Sequence, residues 1–151
     1  MASERYLLAI TLDQQRYALC LSAVERIVRM VEITALPAAP LAVCGMVNVQ
    51  GRILPVYDLR RRFGLPQREI ALTDQLIVAR TACRPVALVA DTATVMAYAE
   101  ADLVAMENMR LDVQYMEGVV KLEDGLIFIH CLEKFLSLEE ERSLERALDT
   151  A

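Results

Sequence analysis

The sequence predicts an all-β chain built as small barrels or a sandwich. Apolar runs of five to eight residues recur along it, separated by polar turn residues. Such short strands at even spacing are the mark of those architectures. Only Leu138–Leu148, rich in Glu and Arg, carries a convincing longer helical pattern. The third observation is internal. Gly45-Met-Val-Asn-Val-Gln50 and Gly118-Val-Val-Lys-Leu-Glu123 align at an offset of 73 residues. At that offset Ile53 falls on Leu126, Leu54 on Ile127, Val56 on Ile129, Leu59 on Leu132 and Arg61 on Lys134. The shared pattern is glycine, strand, turn, apolar strand and short helix, which suggests two related β-units, each with its own core.

In chain order, Arg5–Leu12 and Tyr17–Leu21 flank Asp13-Gln-Gln-Arg16 and read as a hairpin. Ser22 followed by Glu25 has the form of a capping box, so a short helix is expected through Val28. Met30–Thr34 reads as a strand, and Pro37 and Pro40 impose an extended passage. Met46–Gln50 and Arg52–Tyr57 form a second hairpin about Gly51. Asp58 stands where a helix N-cap belongs, Leu59–Phe63 makes one or two turns, and Gly64 stops them. Gln75–Arg80 and Pro85–Ala90 form a third hairpin, continued by strand Thr92–Tyr98 and a helical turn over Glu100–Ala105. Tyr115–Leu122 and Leu126–His130 bracket the turn Glu123-Asp-Gly125, and Leu132–Leu136 is expected to be helical.

Composition narrows the function. The 151 residues are 56% hydrophobic, enough for a substantial core. Sixteen basic against twenty-one acidic residues leave a net charge of −5, a poor start for binding a phosphate backbone, so no nucleic-acid partner is expected. Cys20, Cys44, Cys83 and Cys131 are far apart and include no Cys-x-x-Cys pair, and His130 is the sole histidine. Neither a metal site nor any cofactor is expected from that set. The start of the chain has no secretory pattern, and the cysteines read as free thiols in a reducing cytosol. The uncharged stretch Ile33–Gly51 has the length of a membrane span, but Pro37, Pro40, Gly45, Asn48 and Gln50 break it, so no membrane insertion is expected.

Candidate catalytic groups are few. Ala87-Leu-Val-Ala-Asp91-Thr-Ala93 resembles the Asp-Thr-Gly turn of aspartic proteases, with alanine in place of the glycine. Such an enzyme would need a dimer to bring two carboxylates together around one proton. The plainer reading of Asp91 is a strand ending at a turn. His130 and Cys131 are adjacent, and on a strand their side chains leave opposite faces, so a partly exposed structural histidine is expected. Arg60-Arg-Arg62 reads as the solvated face of a short helix or as a protein contact. A generic SH3-like binder of proline-rich peptides is a further alternative, hampered by three Phe, five Tyr and no Trp.

The stretch Leu36-Pro-Ala-Ala-Pro40 … Gly45-Met-Val-Asn48-Val-Gln50-Gly51-Arg-Ile-Leu-Pro55-Val-Tyr-Asp58-Leu-Arg-Arg-Arg-Phe-Gly64 closely resembles the signature of CheW-type chemotaxis coupling proteins. That signature has a proline-bearing loop, Gly-x-x-Asn-x-Arg-Gly, an apolar strand with Pro, then Asp-Leu-Arg. The resemblance extends over nearly the whole chain. It implies two SH3-like five-stranded β-barrels around a groove, short connecting helices and a C-terminal helix. Residues 16–80 would form the first barrel, 81–136 with strand 5–12 the second, and 138–149 the helix.

The resemblance also implies an adaptor without enzymatic activity. Its partners would be the regulatory domain of a CheA-type histidine kinase and the cytoplasmic tip of chemoreceptors, in the cytoplasm beneath membrane receptor arrays. Val24, Arg26, Gly45, Asn48, Gln50 and Gly51 match the receptor-facing region. Two positions depart from the pattern: Arg26 stands where the family has glutamate, and Gln50 where it has arginine. If those two positions face one another, the family's carboxylate–guanidinium pair is expected to be missing here. A further departure is Cys131, where an aspartate often follows the last strand.

Overall fold

The computed structural model describes residues 4–82, 84–105, 116–130 and 144–149. Strands β1 (Glu4–Leu12) and β2 (Gln15–Cys20) make the first hairpin, turning on Asp13 and Gln14, both with positive φ. A 3-10 turn, Leu21–Ala23, leads directly into β3 (Val24–Arg29), where a helix was expected. The β-branched Val24, Ile27 and Val28 suit a pleated surface, and pairing with a neighbouring strand overrides the local helix signal. Met30–Thr34, expected to be a strand, contributes a single bridge, Thr34 to Met46.

Strands β4 (Val43–Val49) and β5 (Arg52–Asp58) form the second hairpin, followed by helix α1 (Leu59–Phe63). Asp58 caps α1 through its side chain, accepting from the Arg60 N–H at 3.0 Å, and Gly64 ends it in the left-handed conformation. Strands β6 (Gln75–Arg80) and β7 (Pro85–Ala90) make the third hairpin, and β8 (Thr92–Ala99) follows. The helical turn expected over residues 100–105 is 3-10 only at Glu100–Asp102, then strand β9 (Leu103–Ala105). Strands β10 (Met116–Leu122) and β11 (Gly125–His130) form the fourth hairpin. Residues 144–149 are helical, while the helix expected at 132–136 and the start of the C-terminal one lie outside the described residues.

The fold is all-β, in two sheets ordered β8-β1-β2-β11-β10-β9 and β3-β6-β7-β5-β4. The second order closes on itself, because Thr34, just past β3, exchanges both backbone hydrogen bonds with Met46 of β4 at 2.8 and 2.7 Å. The first closes likewise: β8 and β9 sit at opposite ends of the order and are joined by one 3-10 turn. Counting β8 and β9 as one bent strand, each sheet is a five-stranded barrel.

The two barrels match strand for strand. β4–β5 and β10–β11 keep the offset of 73, and the register slips at the same place in each, between Val43 and Gly45 and between Met116 and Gly118. Val56 of β5 pairs in parallel with Ala87 of β7, and Ile129 of β11 pairs in parallel with Ala18 of β2. Thus hairpin β6–β7 completes the barrel of β3–β5, and hairpin β1–β2 completes the barrel of β8–β11. The halves of the chain exchange their opening hairpins. The simple division at residues 80/81 does not follow the sheets, since β2 belongs with β8–β11 and β7 with β3–β5.

Burial follows from this exchange. Alternate residues of a strand point to opposite faces. In β6 and β7, Leu76, Val78, Ala87 and Val89 enter one barrel, with Val47, Val49, Leu54 and Val56. In β1 and β2, Leu7 and Ala18 enter the other, with Val120, Ile127 and Ile129. The opposite faces meet in a third core between the barrels: Leu8, Ile10, Leu12 and Leu19 pack on Ile77, Ala79, Val86 and Leu88, with Tyr57 and Leu144. This shared core is the largest of the three. Each fully buried Leu or Ile in it is worth about 1.5–3 kcal/mol.

Because each barrel needs a hairpin from the other half, residues 1–70 and 71–151 expressed separately should each lack a native β spectrum and regain it on mixing. The whole chain should unfold in one urea transition, with circular dichroism and tyrosine fluorescence coinciding. Two separated transitions would refute the interdependence.

Candidate functional site

Five of the six candidate residues collect at one end of the barrel formed by β3–β7. Antiparallel pairing of β3 with β6, β6 with β7 and β4 with β5, and parallel pairing of β5 with β7, bring together the start of β3, the end of β6 and the β4–β5 turn. Gln50 (φ 52°) and Gly51 (φ 88°) form that turn between the paired Val49 and Arg52. Two successive positive φ values are those of a type I′ hairpin, whose twist matches the strands. Asn48 serves the turn: its Oδ1 accepts from the Gly51 N–H at 2.8 Å. Val24, half-buried, packs on the shared core at a register shift between Val24 and Arg26.

Gly45 lies apart, at the seam that closes the barrel. Its φ is +151°, and a Cβ there would collide with the Thr34 carbonyl oxygen. Gly118 holds the matching place in the other barrel, where a Cβ would come within 2.9 Å of the Val104 carbonyl oxygen. Both glycines let one strand edge approach another.

Arg26 and Gln50 form no carboxylate–guanidinium pair, as expected from their residue types, but another pair stands beside them. Glu25, inside the register shift, and Arg52, beside the turn, form an ion pair at 2.7 Å. Glu25 stands one place before Arg26, and Arg52 two places after Gln50. The hydrogen bond from Arg52, aided by the charges of Arg52, Arg80 and Arg26, holds the Glu25 carboxyl below its ordinary range. A third arginine, Arg80, therefore belongs to this end of the barrel. Sequence reasoning missed it; the β3–β6 register that places it beside Arg26 is not written in any motif.

Asp91 is the hub of an ion network. Burial alone would raise its pKa, but the Asp13 N–H and the guanidiniums of Arg60 and Arg68 outweigh that and lower it. Oδ2 accepts from Arg60 at 2.7 Å and from the Asp13 N–H at 3.1 Å, and Oδ1 accepts from Arg68 at 2.7 Å. Arg60 also pairs with Asp13, and Arg68 with Asp74, at 2.7 and 2.6 Å. A carboxylate so fully committed to cations is the opposite of one sharing a proton with a second carboxylate, so the protease-like reading fails. Arg60 does not lie on a solvated face: its side chain is 7% exposed, at the meeting of α1, the β1–β2 turn and the β7–β8 junction. Arg61 extends to the Leu41 carbonyl at 3.1 Å and to Asp58 at 3.5 Å.

His130 is buried, not partly exposed, at 3%. Its ring meets Phe63 edge-on at 5.1 Å and Tyr17 at 5.6 Å, and those two rings stack at 4.4 Å. This trio clips α1 of one barrel to β2 and β11 of the other. Neither ring nitrogen has a hydrogen-bond partner among the described residues, and burial lowers the pKa to about 4. Tyr57 is fully buried as well, whereas Tyr6 stands 53% exposed. Among the described residues no His, Cys, Asp and Glu cluster could hold a metal ion.

Two outcomes follow from this geometry. Gln50→Asn puts the preferred residue at the first left-handed position and should raise stability by about 0.5–1 kcal/mol, read as a higher urea midpoint at unchanged m. His130 binds a proton more readily when unfolded, so stability falls as pH drops from about 6.5 toward its folded value near 4. Up to about 3 kcal/mol separates the two limits. His130→Phe should remove that part of the acid limb, measured by urea unfolding between pH 7 and 4; an unchanged limb would show that His130 does not carry it.

Comparison with known proteins places the chain. The CheW-like domain model matches residues 6–140. The chain is 26% identical over 142 residues to the chemotaxis protein CheW of Rhizobium meliloti (strain 1021), covering 92% of each chain. It is 27% identical over 140 residues to that of Bacillus subtilis (strain 168), covering 91% of this chain and 90% of the relative. The crystal structure of the scaffolding protein TtCheW from Thermoanaerobacter tengcongensis superposes with a TM-score of 0.79 at 25% identity, covering 91% of this chain and 96% of the other. With that match over most of its length, this chain belongs to the CheW-like domain family.

Proposed function

We propose that this chemotaxis scaffold, an adaptor and not an enzyme, couples chemoreceptors to a CheA-type histidine kinase. Family membership across residues 6–140 carries the reading. The protein acts in the cytoplasm and is brought to membrane arrays by its receptors. Among the described residues no helix is long and apolar enough to cross a membrane. Binding without chemistry suits a site whose one buried histidine is enclosed by rings and whose buried carboxylates are held by arginines.

Two exposed side chains support barrel-to-barrel docking. Ile53 and Leu126 occupy the same place in the two barrels, near the start of β5 and of β11, and stand 60% and 56% exposed. An outward isoleucine or leucine next to a hairpin turn is an unfilled anchor for an apolar contact. A kinase regulatory domain of the same fold would meet such a spot with a barrel of its own. The end of the first barrel that holds Val24, Arg26, Gln50 and Gly51 then faces the receptor hairpin, whose helices offer anchors at helical spacing.

Calorimetry with a CheA regulatory domain tests the coupling. The wild type should bind with a micromolar Kd. Ile53→Lys or Leu126→Lys should weaken binding about tenfold at unchanged thermal stability. Absence of binding by the folded wild type would overturn the adaptor reading.

A further inference from the structure

The core-facing positions of β3, β5 and β6 place three arginines around one mouth of the first barrel. Val78 of β6 lies in the barrel core, Arg26 is its partner across the β3–β6 pair, and Arg80 is two residues further on the same face. Arg52 precedes Leu54 and Val56, which line that same core. Side chains two apart share a face, so the three arginines stand on the barrel's inner face where the core ends. Glu25 is the carboxylate among them, and Arg52 holds it at 2.7 Å. Arg26 and Arg80 have no ion-pair partner among the described residues. Three guanidiniums and one carboxylate leave this mouth positive on a chain whose net charge is −5.

We propose that this arginine rim selects the receptor: Arg26 and Arg80 take carboxylates presented by an acidic receptor helix tip. The proposal rests on the coupling reading above and gives its receptor site a partner chemistry. A guanidinium offers a planar fork of donors that fits a carboxylate in two-pronged fashion. The rest of the acidic surface repels acidic partners at long range, so only a carboxylate placed against the rim gains more than it loses. Glu25 is bonded to Arg52 and feels Arg26 and Arg80 only through their charge, so those two guanidiniums keep their hydrogen-bond donors for a partner. Glu25 instead holds Arg52 against the turn and leaves the outer pair to the partner.

The test measures Kd for the wild type, R26E/R80E and R26Q/R80Q against three probes. These are a soluble receptor hairpin-tip fragment, the same fragment with its surface glutamates changed to glutamine, and the kinase regulatory domain. Thermal unfolding verifies that each variant is folded; Arg26 is half-buried and Arg80 exposed, and the glutamine pair keeps much of their length. R26E/R80E should lose about tenfold in affinity for the intact fragment, R26Q/R80Q less, and both should bind the kinase domain as the wild type does. The wild type should prefer the intact fragment over its glutamine form, and that preference should shrink with added salt. Equal affinities of wild type and R26E/R80E for the intact fragment overturn the rim while leaving coupling in place. A loss confined to the kinase domain overturns it in favour of a kinase contact. Anionic phospholipid vesicles, added as a fourth probe, overturn it if they bind the wild type and not R26E/R80E. Failure of the folded wild type to bind any receptor fragment removes the coupling reading and the rim together.

Discussion

Strands β6 and β7 and the middle of the β1–β2 hairpin are buried on both faces, and the rest of the molecule is arranged around that fact. One face of each hairpin fills a barrel and the other fills the space between barrels. A strand with two apolar faces has no solvated side on which to rest, so each hairpin reaches its full stability only when both cores close over it. That requirement explains why Val86-Ala-Leu-Val-Ala90 reads as a continuous apolar run without alternation. It also explains where the charges sit. The Asp13–Arg60–Asp91–Arg68–Asp74 network lies where the first hairpin turn reaches the other barrel's helix and loop, and it ties the two together. Arg60 and Asp74 are its buried members, while Asp13 and Arg68 reach the surface.

Much of this architecture is legible in the sequence because it is local. The four hairpins are marked by apolar runs and turn residues, and the Asp58 and Gly64 caps of α1 follow from side-chain chemistry next to the helix itself. The offset of 73 survives in the structure down to the position of the register slip. What local patterns do not carry is the identity of a strand's partners. Ser22 and Glu25 form a plausible capping box, yet the pairing of Val24–Arg29 with β6 and the pull of Arg52 on Glu25 win. The exchange of hairpins is invisible for the same reason, since β2 would look identical in either barrel. Arg60 and His130 are buried by residues distant in the chain, Asp13 and Asp91 for the first and Tyr17 and Phe63 for the second, which no local pattern reveals.

The candidate site divides into positions that make shape and positions that carry charge. Gly45, Asn48 and Gly51 are spent on the backbone: a close strand approach, an acceptor for a turn amide, and a left-handed φ. Motif spacing identifies such residues well, because the geometry they serve is fixed by chain connectivity. The charged positions obey a looser rule. A carboxylate and a guanidinium need only meet in space, and Glu25 and Arg52 do so at 2.7 Å from positions that no motif marks.

The exchanged hairpins also order events at the ribosome. Hairpin β6–β7 follows β3–β5 in the chain, so the first barrel has all its strands soon after residue 90 is made. Hairpin β1–β2 emerges first of all, but its parallel partner β11 arrives last, with Ile129 meeting Ala18. About a hundred residues separate them, which at ordinary synthesis rates is roughly 5–20 s. For that interval the nascent chain holds a two-faced apolar hairpin with one side bare. Its only completed neighbour is the first barrel, whose shared core already offers Ile77 and Leu88 to Leu8 and Ile10. The growing chain can thus shelter its oldest segment against its newest finished one, and the hairpin waits docked on one face for the strands that will cover the other.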